Sequence, residues 1–179
     1  MQESHNYPHE PPHRYSEKGT YIVTASTLKK QHFFDTPQKK TLLQNLLLEE
    51  AIKHHWELKA WAVFTNHYHF VASNEVNPET LPKFITAIHR ISATKINRID
   101  NQQGRRVWYQ YWDTCLTFKN SYYARLNYVM QNPVKHKLVE DARYYPWCSA
   151  AWFFENAEKE FRKTIMGYKF DSINVKDDF

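Results

Sequence analysis

Changes of hydrophobic period along this 179-residue chain constrain its fold more than any other feature. Tyr21 to Ala25, Glu57 to Phe64 and His67 to Ser73 read as β-strands, bounded by turn residues and rich in β-branched and aromatic side chains. Thr65-Asn66 joins the second and third as a tight hairpin turn. Between the first two strands, Leu42, Leu43, Leu46, Leu47 and Ile52 recur at helical spacing. Asp35-Thr36-Pro37 opens that helix, with Thr36 as N-cap and Pro37 at the first position. Asn77-Pro78-Glu79 caps a second helix, with Leu81, Phe84, Ile85, Ile88, Ile91 and Ile99 on its buried side. Val107 to Phe118 is aromatic and partly β-branched and contains a further strand at a sheet edge. A third helix from about Ser121 to Asn132 stops or kinks at Pro133, with Val134 to Leu138 able to resume helical structure. The order β-α-β-β-α-β-α predicts an α+β fold, a single antiparallel β-sheet with helices packed on it.

The length suits one domain with a sizeable core. Residues 1–18 read as a flexible arm rich in His and Pro. His5, His9 and His13 are four apart, but Pro8, Pro11 and Pro12 forbid the helix that would align them as ligands. Tyr144 to Trp147 and Ala150 to Phe154 should pack back on the domain, residues 155–179 form a C-terminal extension, and Ser172 to Phe179 look frayed. There is no internal repeat and no interdomain linker. Cys115 and Cys148 form no CxxC pair, which argues against a zinc ribbon or a disulfide scaffold and fits a reducing cytoplasm. No apolar run approaches the ~20 residues of a membrane span, and the N-terminus lacks the apolar core of a signal peptide. The only glycines, Gly19, Gly104 and Gly167, build no phosphate-cradling loop, so NTP-driven chemistry is not expected. The 24 basic residues exceed the 19 acidic ones, a balance compatible with a polyanionic partner. Twelve Tyr and six Trp suit unstacked nucleic-acid bases, or equally a small core built from large residues.

Two stretches carry chemistry. In Asn66-His67-Tyr68-His69-Phe70, strand alternation puts His67 and His69 on one face and Tyr68 and Phe70 on the other, toward a core. Such a pair can hold a metal, or be two ordinary exposed histidines. On a wheel of about 100° per residue, the third helix gathers Tyr122, Tyr123, Leu126, Val129 and Met130 on a core side. Tyr128 falls opposite, with Asn132 one turn later and Arg125 and Gln131 beside it. A phenol among a cation and amides is what a nucleophile aimed at a phosphate needs, and an ordinary exposed surface tyrosine fits the same position.

Together, Asn66-His67-Tyr68-His69-Phe70 and Leu126-Asn127-Tyr128-Val129-Met130-Gln131-Asn132-Pro133-Val134-Lys135-His136 resemble the single-tyrosine HUH transposases, in particular the REP-associated tyrosine transposases. Val107 to Trp112 and Tyr145 to Ser149 add to the likeness, which spans 19–154. The resemblance implies a ferredoxin-like or RRM-like βαββαβ catalytic domain over that span, followed by a tyrosine-bearing helix. It implies Tyr128 as nucleophile and His67, His69 and Asn132 as metal ligands. Lys137 stands where these proteins commonly have glycine, which puts the local turn and its DNA contacts in question.

Two imidazoles and an amide bring no negative charge and leave positions for water and phosphate oxygens, a set suited to Mg²⁺ or Mn²⁺. The implied reaction nicks and rejoins single-stranded DNA through a 5′-phosphotyrosine, with hairpin DNA as the recognised partner. A free phenol, with a pKa of about 10, needs help to attack at neutral pH, and the sequence offers no obvious general base. Arg125, Lys95, Arg98, Arg105, Arg106, Lys135 and Lys137 are the candidate DNA-backbone contacts, with a plain surface arginine an equal reading of Arg125, and Trp108, Tyr111 and Trp112 are the candidate stacking rings, at least one of them better read as core. A non-catalytic nucleic-acid-binding module on the same fold is the alternative, and a metal-dependent hydrolase using water a third reading. Either a monomer or a homodimer fits the pattern.

Overall fold

The structure, a computed structural model, describes residues 19–170; the expectations for the N-terminal arm and the last residues lie outside that range. Four strands, β1 (Thr20–Thr27), β2 (Glu57–Val63), β3 (His67–Ser73) and β4 (Trp108–Cys115), form one antiparallel sheet in the order β2-β3-β1-β4. Helix α1 (Pro37–Lys53) links β1 to β2, and α2 (Leu81–Ile99) links β3 to β4. Two split βαβ units therefore interlock in a single antiparallel sheet of the kind expected, and β4 is an edge strand. Helices α3 (Lys119–Lys135), α4 (Ala150–Asn156) and α5 (Lys159–Met166) follow. Among the described residues no helix is long and apolar enough to cross a membrane.

Strand alternation divides the core in two. Tyr68 and Phe70 of β3, with Tyr21, Val23 and Ala25 of β1, pack against Leu43 and Leu47 of α1 and Phe84, Ile85 and Ile88 of α2. On the opposite face Ile22, Ala60, Ala62 and Val71 meet Leu126, Tyr128, Val129 and Met130 of α3. Phe153 of α4 and Ile165 of α5 close over α3 in that second core. The Thr36 cap is as expected, its Oγ1 accepting from Lys39 N at 3.3 Å. The two-residue hairpin is also present, closed by Phe64 N donating to His67 O at 2.9 Å.

Several expectations need correction. Ile52 and Ile99 lie at helix ends past the edge of the core and are exposed. Pro133 does not stop α3, which continues to Lys135. The helix instead ends two residues later in a Schellman turn, with Leu138 N on Pro133 O at 3.0 Å and Lys137 N on Val134 O at 2.9 Å. Lys137 holds the left-handed position of that turn at φ 56°, so the turn survives without the glycine. The largest correction concerns Tyr128. It does not sit on an open polar face but is fully buried, as are Asn127 and Asn132. The cause is that α3 is covered on two sides, by the sheet and by the C-terminal helices, so a one-sided wheel does not describe it.

Candidate active site

His67 and His69 project from β3 toward α3, their ring centroids 5.0 Å apart. They are not wet surface histidines: His67 is 3% and His69 0% exposed. Each has Nδ1 held by a neighbour. Register places Thr24 of β1 opposite His69, and its Oγ1 lies 2.7 Å from His69 Nδ1. His67 Nδ1 lies 2.7 Å from Asn66 Oδ1. The Asn66 amide is oriented by its Nδ2, which donates to Lys30 O at 3.2 Å, so its oxygen is the atom facing His67. His67 Nδ1 therefore carries the proton and Nε2 the lone pair. Phe64 stacks on the His67 ring at 4.4 Å and 15°. Backbone bonds clamp the turn itself: Thr27 N donates to Asn66 O at 2.8 Å, and Phe34 N to Thr65 O at 2.9 Å.

Helix α3 brings Tyr128 to the same place. Its ring meets that of His69 edge-on, with centroids 5.6 Å apart. Asn132 follows one helical turn later, on the same side of α3. Lys135 sits a further turn on, with Nζ 4.9 Å from the Tyr128 ring centroid. Arg125, three residues before Tyr128, is half-buried; its Nε is buried without a hydrogen bond, and burial lowers the guanidinium pKa. Among the described residues no three His, Cys, Asp or Glu side chains gather as a metal-binding cluster.

Most of the other candidate DNA contacts lie away from the histidines. Lys95 and Arg98 are exposed on α2, which covers the opposite face of the sheet. Arg105 is committed to structure: Nη2 pairs with Asp100 Oδ2 at 2.6 Å, Nε donates to Asn97 Oδ1 at 3.0 Å, and the guanidinium lies over Phe33. Arg106 is exposed, with Nε donating to Trp108 O. Trp108 is a core residue, its Nε1 donating to Ser92 Oγ at 2.9 Å. Trp112 is half-buried on β4, in the same cross-strand row as Thr24 and His69. Lys137 is exposed just past α3.

Sequence reasoning missed three neighbours of the histidines. Thr24 is legible only once the β1–β3 register is known. Asn66 is adjacent in sequence, but its amide orientation depends on Lys30. His136, whose ring centroid lies 5.2 Å from that of His67, depends on how α3 ends.

No protein-family profile matches the chain, and no curated protein matches it. Solved structures do. One is a REP-associated tyrosine transposase bound to a REP hairpin, with a TM-score of 0.66 at 17% identity over 96% of this chain and 94% of that one. That likeness establishes a shared fold over nearly the whole of both chains. A Deinococcus radiodurans protein provisionally named a transposase gives a TM-score of 0.47 at 18% identity, over 72% of this chain and 98% of that one.

Proposed function

We propose that this chain is a metal-dependent single-stranded DNA transposase and endonuclease, with Tyr128 as nucleophile and hairpin-bearing DNA as substrate. The observation that carries the reading is the edge-on contact of the Tyr128 ring with His69, 5.6 Å between centroids, inside one chain. The shared fold with a hairpin-bound tyrosine transposase supports it.

The donor set fits a divalent ion. Both imidazoles have Nδ1 engaged, so Nε2 is the ligating nitrogen of His67 and His69, and the Asn132 amide oxygen is the third donor. These donors bring no negative charge and would leave positions for water and phosphate oxygens, which suits Mg²⁺ or Mn²⁺. When bound, the ion polarises the scissile phosphate and offsets transition-state charge. Tyr128 Oη forms a bond to phosphorus, and the bond from phosphorus to the 3′-oxygen breaks. The phenol loses a proton as the 3′-oxygen gains one, leaving a 5′-phosphotyrosine and a free 3′-hydroxyl. Reversal onto another strand conserves the phosphodiester and needs no NTP. Arg125 and Lys135 flank Tyr128 on α3 and supply positive charge to the phosphate. The tyrosine acts in cis.

The test is a denaturing gel of the protein with a labelled hairpin-bearing single strand and Mn²⁺. A covalent protein–DNA adduct is expected from the wild type and none from Tyr128→Phe. An adduct that persists in Tyr128→Phe overturns the assignment. The complete burial of Tyr128 favours a second reading, a non-catalytic DNA-binding module. That reading predicts strand binding with no adduct in any divalent metal.

A further inference from the structure

A cleft at the tip of the β2–β3 hairpin carries chemistry that the Tyr128 centre does not use. It encloses about 350 Å³, and its walls include His32, Lys40, Thr65, Asn66, His67 and His136. Among the described residues no Asp or Glu lines it. His32 Nδ1 lies 2.6 Å from Thr65 Oγ1, which fixes that rim. Phe64 and Tyr145, stacked with centroids 5.7 Å apart, form an apolar wall.

Lys40 decides what such a cleft takes. It is only 8% exposed, yet among the described residues its ammonium has no ion pair and no hydrogen bond. Its contact is the face of Trp147, 4.2 Å from Nζ to the ring centroid. Asp35 is spent on Lys39, 2.9 Å from its Nζ. Burial lowers the Lys40 pKa, and the field of Asp35 only partly opposes this. The stem of Lys40 is buried while its ammonium reaches the cleft, so an anion seated there meets a positive charge that no carboxylate of the described residues pairs. The volume is within the range of small-ligand sites and exceeds what a lone phosphate fills. His67 lines this cleft and also belongs to the proposed catalytic centre, so the two are adjacent.

We propose that the cleft seats the phosphodiester group next along the DNA strand from the scissile one, with Lys40 as its charge partner. The attached nucleoside lies against the Phe64 and Tyr145 wall. This deepens the transposase reading and rests on it for the placement of the scissile phosphate.

The experiment measures binding of a labelled hairpin-bearing single strand to the full chain in EDTA across a salt series, by fluorescence anisotropy. Without metal no cleavage occurs, so the result is independent of the chemistry. Lys40→Met removes the charge while keeping the apolar stem over Trp147, and is expected to fold with an unchanged or higher Tm. It should weaken binding about tenfold at low salt and reduce the slope of log K against log salt by about 0.7, the value for one single-strand phosphate contact. Lys40→Arg should retain most of the slope, and Lys163→Gln on α5 all of it. An unchanged slope in Lys40→Met overturns the proposal, even if an adduct still forms at Tyr128. A lost slope with no adduct from the wild type leaves the cleft as a DNA-backbone site and removes only its link to a scissile phosphate. Inorganic phosphate is the second probe. A phosphate-induced rise in Tm that needs Lys40, with the strand-binding slope unchanged, assigns the cleft to free phosphate and overturns the strand assignment.

Discussion

The hydroxyl of Tyr68 lies 2.9 Å from Nε2 of His89, directly behind the two histidines of β3. His89 also stacks on Trp108 at 4.3 Å and 8°. Burial pushes its pKa down to about 3, so it is neutral in the folded chain. The unfolded chain takes up this proton below about pH 6.5. Stability is therefore full above about pH 6.5 and is lost as pH falls from there toward about 3. The ring retains some solvent contact, so the expected loss from about pH 7 to about pH 5 is ~1 kcal/mol rather than the full ~2. Urea unfolding at the two pH values checks this, and His89→Gln should flatten the dependence.

Asn66 orients His67 through its amide oxygen, and Thr24 holds His69. If His67 and His69 hold the proposed metal, removing such outer partners of their imidazoles is expected to cost about 10–100-fold in affinity. Asn66→Ala and Thr24→Val should each weaken Mn²⁺ binding by roughly that factor while the fold is retained. Electron paramagnetic resonance of free Mn²⁺ during titration reads this directly. Unchanged affinity in both variants would count against His67 and His69 as ligands.

Lys137 occupies the left-handed position of the turn that ends α3. A side chain with a Cβ is strained there, and glycine is not. Lys137→Gly should raise stability by about 1 kcal/mol in urea unfolding. If Lys137 also meets the DNA backbone, the same variant should lower the salt slope of strand binding.

Arg125 combines a half-buried guanidinium with a buried Nε that makes no hydrogen bond. Arg125→Met should therefore fold at least as stably as the wild type, by up to about 1 kcal/mol, while adduct formation falls. Loss of stability together with full activity would assign Arg125 to the scaffold.

Much of this protein is legible in its sequence because the informative signals are local. Period two and period 3.6 place every strand of the sheet and its three long helices, and Thr36, Thr65 and Asn66 mark a cap and a turn whose chemistry is set within a few residues. Alternation alone puts His67 and His69 on one face and Tyr68 and Phe70 on the other, because successive strand side chains must oppose. Burial of Tyr128 is different in kind. A helical wheel assumes one core face, whereas α3 is enclosed by the sheet and by α4 and α5, elements that follow it in the chain. The tautomer of His67 depends on Lys30, the seating of His69 on Thr24, and the uncompensated charge of Lys40 on what does not reach it through space. The sequence by itself determined which residues share a face. Only the tertiary structure decided which of those faces are closed, and which polar atoms inside them are held, because burial and hydrogen bonding are set by chain segments far apart in sequence.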